Sequence, residues 1–488
     1  MKAYLRGVSV FAAVVLTLTA CGGGGSDTKR AASRPPGTGT SSSEAAAPAG
    51  GDTASSAPAA PADASGAPAA GTSTGAPAGA NSPAATPSGG PAQPSTGSGG
   101  ATGSARAAGS GSSPAALSAA GPGDKTGVTQ GDVLFGIHMP LSGPFGVLVG
   151  KGWYGTDAYF RSVNDAGGVN GRKLKLVVAD DKYSAQGAAT AIRDLVDTKK
   201  VFAVACPVGV DQCSVTADYA NSKGVPFLSG GFREQYLQDK PWAFPLTASY
   251  LYGGVRLLDY LFEKRGYTAK RKIGLLWLHS QNLDEMGQAA DRELARLTGG
   301  GKFAVRYPAE KDQSDFSAAV TRMHRAGVDT VWFHTAPDLI TKFAAQAKLL
   351  GYQPQYIFTL PVGGDIWAAA AGGNLDKGFG LAGFADPQWS GTAKFQETFH
   401  RYYPNEQADD FNLLCYVIGV VYVEGLKKAG PDLGRDSFAR AMNTVEIDTG
   451  ISQPISYSQR GRVGGPNSKF AVWEIHGTHT DQVTGFDF

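Results

Sequence analysis

The stretch DVLFGIHMPLSGPFGVLVGKGWYGTDAYFRSVNDAGGVNGRKLKLVVADD, residues 132–181, decides the fold of this chain. It opens on Val133-Leu134-Phe135-Gly136-Ile137, an unbroken apolar run suited to a strand buried on both faces. Ser142-Gly143-Pro144 breaks that run. Residues 153–163 can form a helix, stopped by Gly167-Gly168. Asn170-Gly171 supplies a turn, and residues 174–179 form the next strand. A strand, a covering helix and a second strand make one turn of an α/β winding.

The winding continues. Ser184 is a fitting N-cap for a helix that turns Ala188, Ile192, Leu195 and Val196 inward. Residues 201–205 form a strand, 213–222 a helix and 225–228 a strand. The pattern then restarts. Helices are expected over 250–265, 286–297, 316–326 and 340–350, alternating with strands over 273–278, 303–307, 330–333 and 356–359. Two helices follow, over 393–403 and 411–428, and a strand over 470–475 ends the pattern. The fold class is therefore α/β, with two doubly wound parallel sheets, each too small to be a barrel.

Upstream, residues 22–127 are Gly, Ala, Ser, Thr and Pro with almost no large apolar side chains. Nothing there offsets the entropy of ordering the chain, so the tract reads as a spacer. As a flexible coil, about 105 such residues span roughly 55–60 Å. Before the tract, Lys2 and Arg6 precede a short apolar run, 8–18, which is a secretory signal rather than a membrane span. Leu18-Thr19-Ala20-Cys21 resembles the lipobox of bacterial lipoproteins, which makes Cys21 the lipidated residue. The expected location is outside the cytoplasm, on the outer face of the cell membrane, with the lipid as the only anchor.

Composition excludes other classes. The formal net charge is +2, from 44 basic and 42 acidic residues, and no basic run interleaves with aromatics, so nucleic acid is not an expected partner. Export permits a disulfide, and Cys206 and Cys213, flanking residues 207–212, are the expected pair. Cys415 lies in an apolar segment and is expected as a buried free thiol. No metal or cofactor is expected. Gly150-Lys151 lacks phosphate-loop spacing, and Ser229 does not stand in a nucleophile elbow. Asp180 and Asp181 are neighbours on a strand end and point apart, so they do not form an acid–base pair.

Open parallel sheets bind ligands beyond the carboxyl ends of their strands. Here those ends carry Ser142-Gly143, Pro207-Val208-Gly209 and Ser229-Gly230-Gly231 in the first half. In the second they carry Ser280-Gln281-Asn282, His334-Thr335 and residues 361–365, ending in Asp365. Glycines let a ligand approach the backbone N–H groups, and helices starting just beyond favour an anion.

Taken in order, Leu141-Ser142-Gly143-Pro144, the run from Asn164 to Leu174, Asp180-Asp181, Gly224-Val225-Pro226-Phe227-Leu228-Ser229 and Asp315-Phe316-Ser317 resemble the type I periplasmic substrate-binding proteins of the branched-chain amino-acid group. These serve ABC importers. The resemblance spans residues 131–488 and implies two lobes joined by three hinge crossovers, near 246–249, 379–384 and 445–451. The residues themselves give a signal peptide over 1–20 and a tether over 21–127, and the resemblance implies a first lobe of 128–248 plus 381–449 and a second of 249–380 plus 450–488. It further implies a monomer, not an enzyme, that captures a small organic solute in the cleft and delivers it to an ABC permease. A ligand-sensing receptor component acting through a membrane partner is the alternative. The implied ligand contacts are Ser142, Phe145, Pro207, Val208, Gly209, Ser229, Gly230, Gly231, Asn282, His334, Thr335 and Asp365. The family's second-lobe acid falls near Pro361, and its pocket aromatics near Val149, Leu283 and Ala336, where this chain has none. The solute class therefore extends from branched-chain amino acids to related amide and aromatic compounds.

Overall fold

The computed structural model describes residues 117–118, 120–230, 240–247, 250–359, 364, 368–369, 371–458 and 469–488, without the side chains of 144, 250–251, 281–282 and 337. The first lobe runs β1 (Asp132–Met139), α1 (Gly143–Val149), α2 (Tyr154–Asp165), β2 (Lys173–Asp180), α3 (Ala185–Arg193), β3 (Ala203–Cys206), α4 (Val210–Ser222), β4 (Phe227–Ser229) and β5 (Ala243–Pro245). Its strands form a parallel sheet in the order β2-β1-β3-β4-β5. The second runs α5 (Tyr250–Lys264), β6 (Ile273–Leu278), α6 (Gln281–Thr298), β7 (Val305–Ala309), α7 (Ser317–Arg325), β8 (Thr330–His334), α8 (Pro337–Leu349), β9 (Gln355–Thr359) and β10 (Phe379–Ala382). These strands repeat the same order, β7-β6-β8-β9-β10, again parallel. Each sheet thus reverses direction at one place, between β1 and β3 and between β6 and β8, and such points leave a crevice.

The chain then returns to the first lobe as α9 (Ala393–Tyr402), α10 (Asp410–Ala429) and α11 (Arg435–Met442). Helix α10 is apolar along most of its circumference, as a helix enclosed by others must be. It starts with a reciprocal cap: Asp409 Oδ1 accepts from the Asn412 N–H at 2.8 Å, and Asn412 Oδ1 accepts from the Asp409 N–H at 3.0 Å. Its close approach to α2 depends on Gly155, where a Cβ would stand 1.8 Å from the Asn412 carbonyl oxygen. A short pair, β11 (Glu446–Ile447) with β12 (Ile455–Ser456), precedes β13 (Ala471–His476) and β14 (His479–Gln482). The last two add antiparallel strands beside β10.

Two crossing segments are bonded to each other. The Gln453 N–H donates to the Gly383 carbonyl at 2.8 Å, and the Ala385 N–H to the Ile451 carbonyl at 2.9 Å. The break read at 142–144 holds, since β1 ends at Met139, and Gly143-Pro144 also opens the short helix α1, as proline is tolerated in a first turn. Two expectations change here. Residues 451–457, expected in the second lobe, stay with the first, because Ile451, Ile455 and Tyr457 are buried in its core. Residues 117–127, assigned to the tether by composition, are docked. Arg440 donates to the Ser118 carbonyl at 2.6 Å, and the Ser437 N–H to the Pro122 carbonyl at 3.2 Å. The buried Arg435 guanidinium reaches Asp124 at 2.6 Å, Val201 O at 2.7 Å and Phe202 O at 3.1 Å. A low-complexity sequence can be ordered when such a partner supplies donors. Cys21 and the rest of the expected signal and tether lie outside the described residues.

Candidate functional site

A cavity of about 350 Å³ opens where the carboxyl ends of the two sheets meet. The first lobe contributes Phe145 after β1, Tyr183, Ser184 and Ala185 after β2, and residues 208–212 after β3. The second contributes Leu278 and His279 at the end of β6, Glu310 and Lys311 after β7, His334, Thr335 and Ala336 at the end of β8, and Thr359 at the end of β9. Leu283 of α6 and Phe411 of α10 complete the wall. The size is at the lower end of ordinary small-molecule sites.

Local sequence explains the first-lobe wall. Lys182 and Tyr183 both adopt left-handed backbone, with φ of 52° and 50°. Asp181 Oδ1 accepts the Tyr183 N–H at 2.9 Å, which holds this turn. It lays the Tyr183 ring against Phe145, with centroids 4.2 Å apart. Ser184 then caps α3, accepting the Gly187 N–H at 3.0 Å. After β3, Gly209 has φ 93° and ψ 126°, outside the range of residues with a Cβ. Residues 210–212 form the first turn of α4, whose N–H groups have no partner inside the helix. A disulfide joins Cys206 to Cys213, with Cα atoms 5.4 Å apart, and the five wall residues 208–212 lie between them. Val210 also packs in the second lobe's core with Leu283 and Met286, so the lobes touch at the start of α4.

Polarity is unevenly distributed. Glu310, Lys311 and His279 are exposed, whereas Gln212, His334 and Thr359 are buried. Burial pushes the His334 imidazole down to about 3, so it is neutral near pH 7 and offers one donor and one acceptor. Thr335 Oγ1 is buried without a hydrogen-bond partner among the described residues. Among the described residues, helices α3, α4, α6 and α8 begin at or next to this wall, and their N-terminal ends favour negative charge. No group of His, Cys, Asp and Glu among the described residues could hold a metal ion.

Of the sequence-derived contacts, Phe145, Val208, Gly209, His334 and Thr335 come together in the wall. Ser142 does not. Its hydroxyl donates to Asp180 Oδ2 at 2.5 Å, in an exposed cluster that also holds the Leu141 N–H. Burial raises the Asp180 carboxyl, but the bonds from Ser142, Leu141 and Lys182 outweigh it and hold the group below the usual carboxylate range. Pro207, Ser229 and Gly230 knit strand ends together instead. The Gly230 N–H donates to the Cys206 carbonyl at 2.8 Å, a Cβ on Gly230 would meet the Pro207 carbonyl, and Ser229 is fully buried in β4. Gly231 and Asp365 lie outside the described residues, as does the side chain of Asn282 in α6. Sequence reading missed Tyr183, Gln212, Thr359 and Phe411. Tyr183 and Gln212 follow strands β2 and β3, and Thr359 is the last residue of β9, where the same rule would have found them. Phe411 begins a distant helix and carries no local sign.

Two doubly wound sheets that present their carboxyl ends to one shared cavity define a two-lobed solute-binding protein. The chain belongs to the periplasmic binding protein family, whose profile matches residues 132–478. Members bind solutes outside the cytoplasm, and the chain is not an enzyme. It is similar to the Leu/Ile/Val-binding protein homolog 1 of Brucella suis, 24% identical over 358 residues, which cover 71% of this chain and 92% of that protein. Two solved structures share the fold. One is a fatty acid ABC transporter substrate-binding protein from Thermomonospora curvata, with TM-score 0.66, 19% identity, and coverage of 74% of this chain and 94% of that one. The other is a solute-binding protein of R. palustris in complex with benzoate, with TM-score 0.61, 18% identity, and coverage of 73% and 96%. Among the described residues, no helix is long and apolar enough to cross a membrane.

Proposed function

We propose that the chain is a lipoprotein, attached through Cys21, that captures a small organic solute between its lobes and delivers it to an ABC permease. The observation that carries this reading is the cavity itself. Its aromatic and aliphatic wall of Phe145, Tyr183, Phe411, Val208, Leu278 and Leu283 suits an apolar body. The turn at residues 209–212 supplies N–H groups for a carboxylate or amide oxygen. The solute class is thus a small amino acid, amide or aromatic acid. Leucine, isoleucine and valine, named for the Brucella relative, and the acids named for the two solved structures all share a carboxylate. Binding across both lobes favours the closed form, which is the form a permease reads. Residues 21–116 are the tether and a monomer is the working state.

The test has two parts. Mass spectrometry of solute released on denaturing the purified protein, followed by calorimetric titration, should identify a carboxylate or amide that binds saturably. Mass analysis of the N-terminal peptide should show acyl chains on Cys21. Turnover of a solute without saturable binding would overturn the capture role, and an unmodified Cys21 in membrane-derived protein would overturn the anchor.

A further inference from the structure

We infer that His138 is a positioning residue for the solute site, the centre of a buried relay that locks two walls of the first lobe to each other. This rests on the cavity being the solute site. His138, Asp181 and Thr216 are all fully buried. The His138 Nδ1 lies 2.9 Å from Asp181 Oδ2, and its Nε2 lies 2.7 Å from Thr216 Oγ1. A carboxylate oxygen accepts, so Nδ1–H donates to it, and this bond orients the ring toward Thr216.

Both ends of the relay reach the cavity. Asp181 uses its other oxygen, Oδ1, to accept the Tyr183 N–H at 2.9 Å. Thr216 stands one turn after Gln212 in α4, and its Oγ1 lies 3.0 Å from the Gln212 carbonyl, so its one hydroxyl hydrogen is shared between that carbonyl and His138 Nε2. Tyr183 and Gln212 both line the wall. The relay therefore ties the left-handed turn after β2 to the first turn of α4, two segments that are separate in sequence and carry different parts of the wall.

The order Thr, His, Asp resembles a nucleophile with its base and orienter. It is not one here, because Thr216 is fully buried and bonds a helix carbonyl. A purely apolar packing could fill the same space. What the polar relay adds is directional: a hydrogen-bonded carboxylate and imidazole fix angles that dispersion contacts leave soft. Gln212 shows why this matters. The residue is only 6% exposed and lines the wall, and its Oε1 lies over Gly209, where a Cβ would stand 2.1 Å from it, so the turn that carries Gly209 decides where its amide sits.

The test uses the intact protein carrying His138→Leu or, as the milder change, Thr216→Val. Amide hydrogen exchange is followed by mass spectrometry in peptides spanning 181–187 and 207–214, with strands β6 to β9 as an internal reference. Each variant should exchange about tenfold faster in both peptides and unchanged in the reference, the effect of losing roughly one hydrogen bond of ordinary strength. Leucine and benzoate serve as probes of the site, and whichever binds the native protein should bind the variants about tenfold more weakly. Exchange that rises in one peptide alone, or equally across β6 to β9, overturns the relay. If neither probe binds the native protein, the proposed solute class fails, while the exchange result still decides the relay.

Discussion

Tyr457 donates its hydroxyl hydrogen to the main-chain carbonyl of Pro245 at 2.7 Å. Pro245 ends β5, just before the chain first leaves for the second lobe, and Tyr457 follows β12 near the last crossing. The bond thus fastens two crossing segments at their first-lobe ends, with the Phe244 ring packed beside it at 5.4 Å. Tyr457→Phe keeps the packing and leaves a buried carbonyl without its donor. Urea unfolding should show a loss of about 1–3 kcal/mol. An unchanged midpoint would mean that the hydroxyl fastens nothing.

Gly209 tests the binding turn. A Cβ there would stand 2.1 Å from Gln212 Oε1, and its φ of 93° excludes other residues without strain. Gly209→Ala should weaken solute binding by at least about tenfold in a calorimetric titration, as the turn and the Gln212 amide are displaced together. The cost in global stability should be about 1–3 kcal/mol. Native affinity in this variant would show that the turn does not contact the solute.

The disulfide acts on the same turn. Closing the short loop from Cys206 to Cys213 restricts the unfolded chain by about 2.5 kcal/mol on a chain-entropy account. The Cys206→Ala, Cys213→Ala double variant should lose stability of that order in guanidinium unfolding. It should also release solute faster, because residues 208–212 lose their covalent brace. Reduction of the native protein should reproduce both changes.

The docked segment before β1 gives a sharper prediction about the tether. Protein beginning at residue 117 retains Asp124 beside Arg435, and protein beginning at 128 does not. Burial depresses the Arg435 guanidinium while Asp124 opposes that, so losing Asp124 leaves a largely buried cation less compensated. Asp124 is half exposed and Arg435 keeps its two carbonyl partners, so the shorter form should lose about 1.5–3 kcal/mol, the worth of a hydrogen bond to a charged group, in thermal and urea denaturation. Equal stability would make residues 117–127 a passive part of the spacer.

The sheets were legible because apolar runs such as 133–137 and 201–205 are long enough to be buried on both faces and are separated by helical spacing. The rule that ligands sit beyond strand ends then found Val208, Gly209, His334 and Thr335. It also produced Ser142, since the rule locates the end of a strand and not the direction of a side chain, which the Asp180 carboxylate decides here. Tyr183 was hidden by a left-handed turn that its residue types do not announce. Phe411 looked like any other apolar residue of a core helix, and only the return of α10 to the first lobe brings it to the wall. The same blindness to tertiary partners misplaced residues 451–457 and the docked segment 117–127.

His334 makes stability depend on pH in a direction that can be stated. In the unfolded chain its imidazole titrates near 6.5, and in the folded protein burial holds it at about 3. Between those values the unfolded chain binds the additional proton. Stability contributed by this residue is therefore complete above about pH 6.5 and is lost as pH falls below it, by about 1.4 kcal/mol for each further pH unit. Asp259, raised to about 6 by burial and by Glu293, has the opposite slope, so the native protein alone is a poor test. The difference between native protein and His334→Gln isolates the term. The variant, which carries no titrating ring, should gain on the native protein steadily from pH 6.5 to pH 4.5 in urea unfolding, and the gap should be constant from pH 7 to 8. A gap that does not change with pH would show that the imidazole takes up its proton in the folded cavity, and the neutral donor–acceptor role assigned to His334 would fall with it.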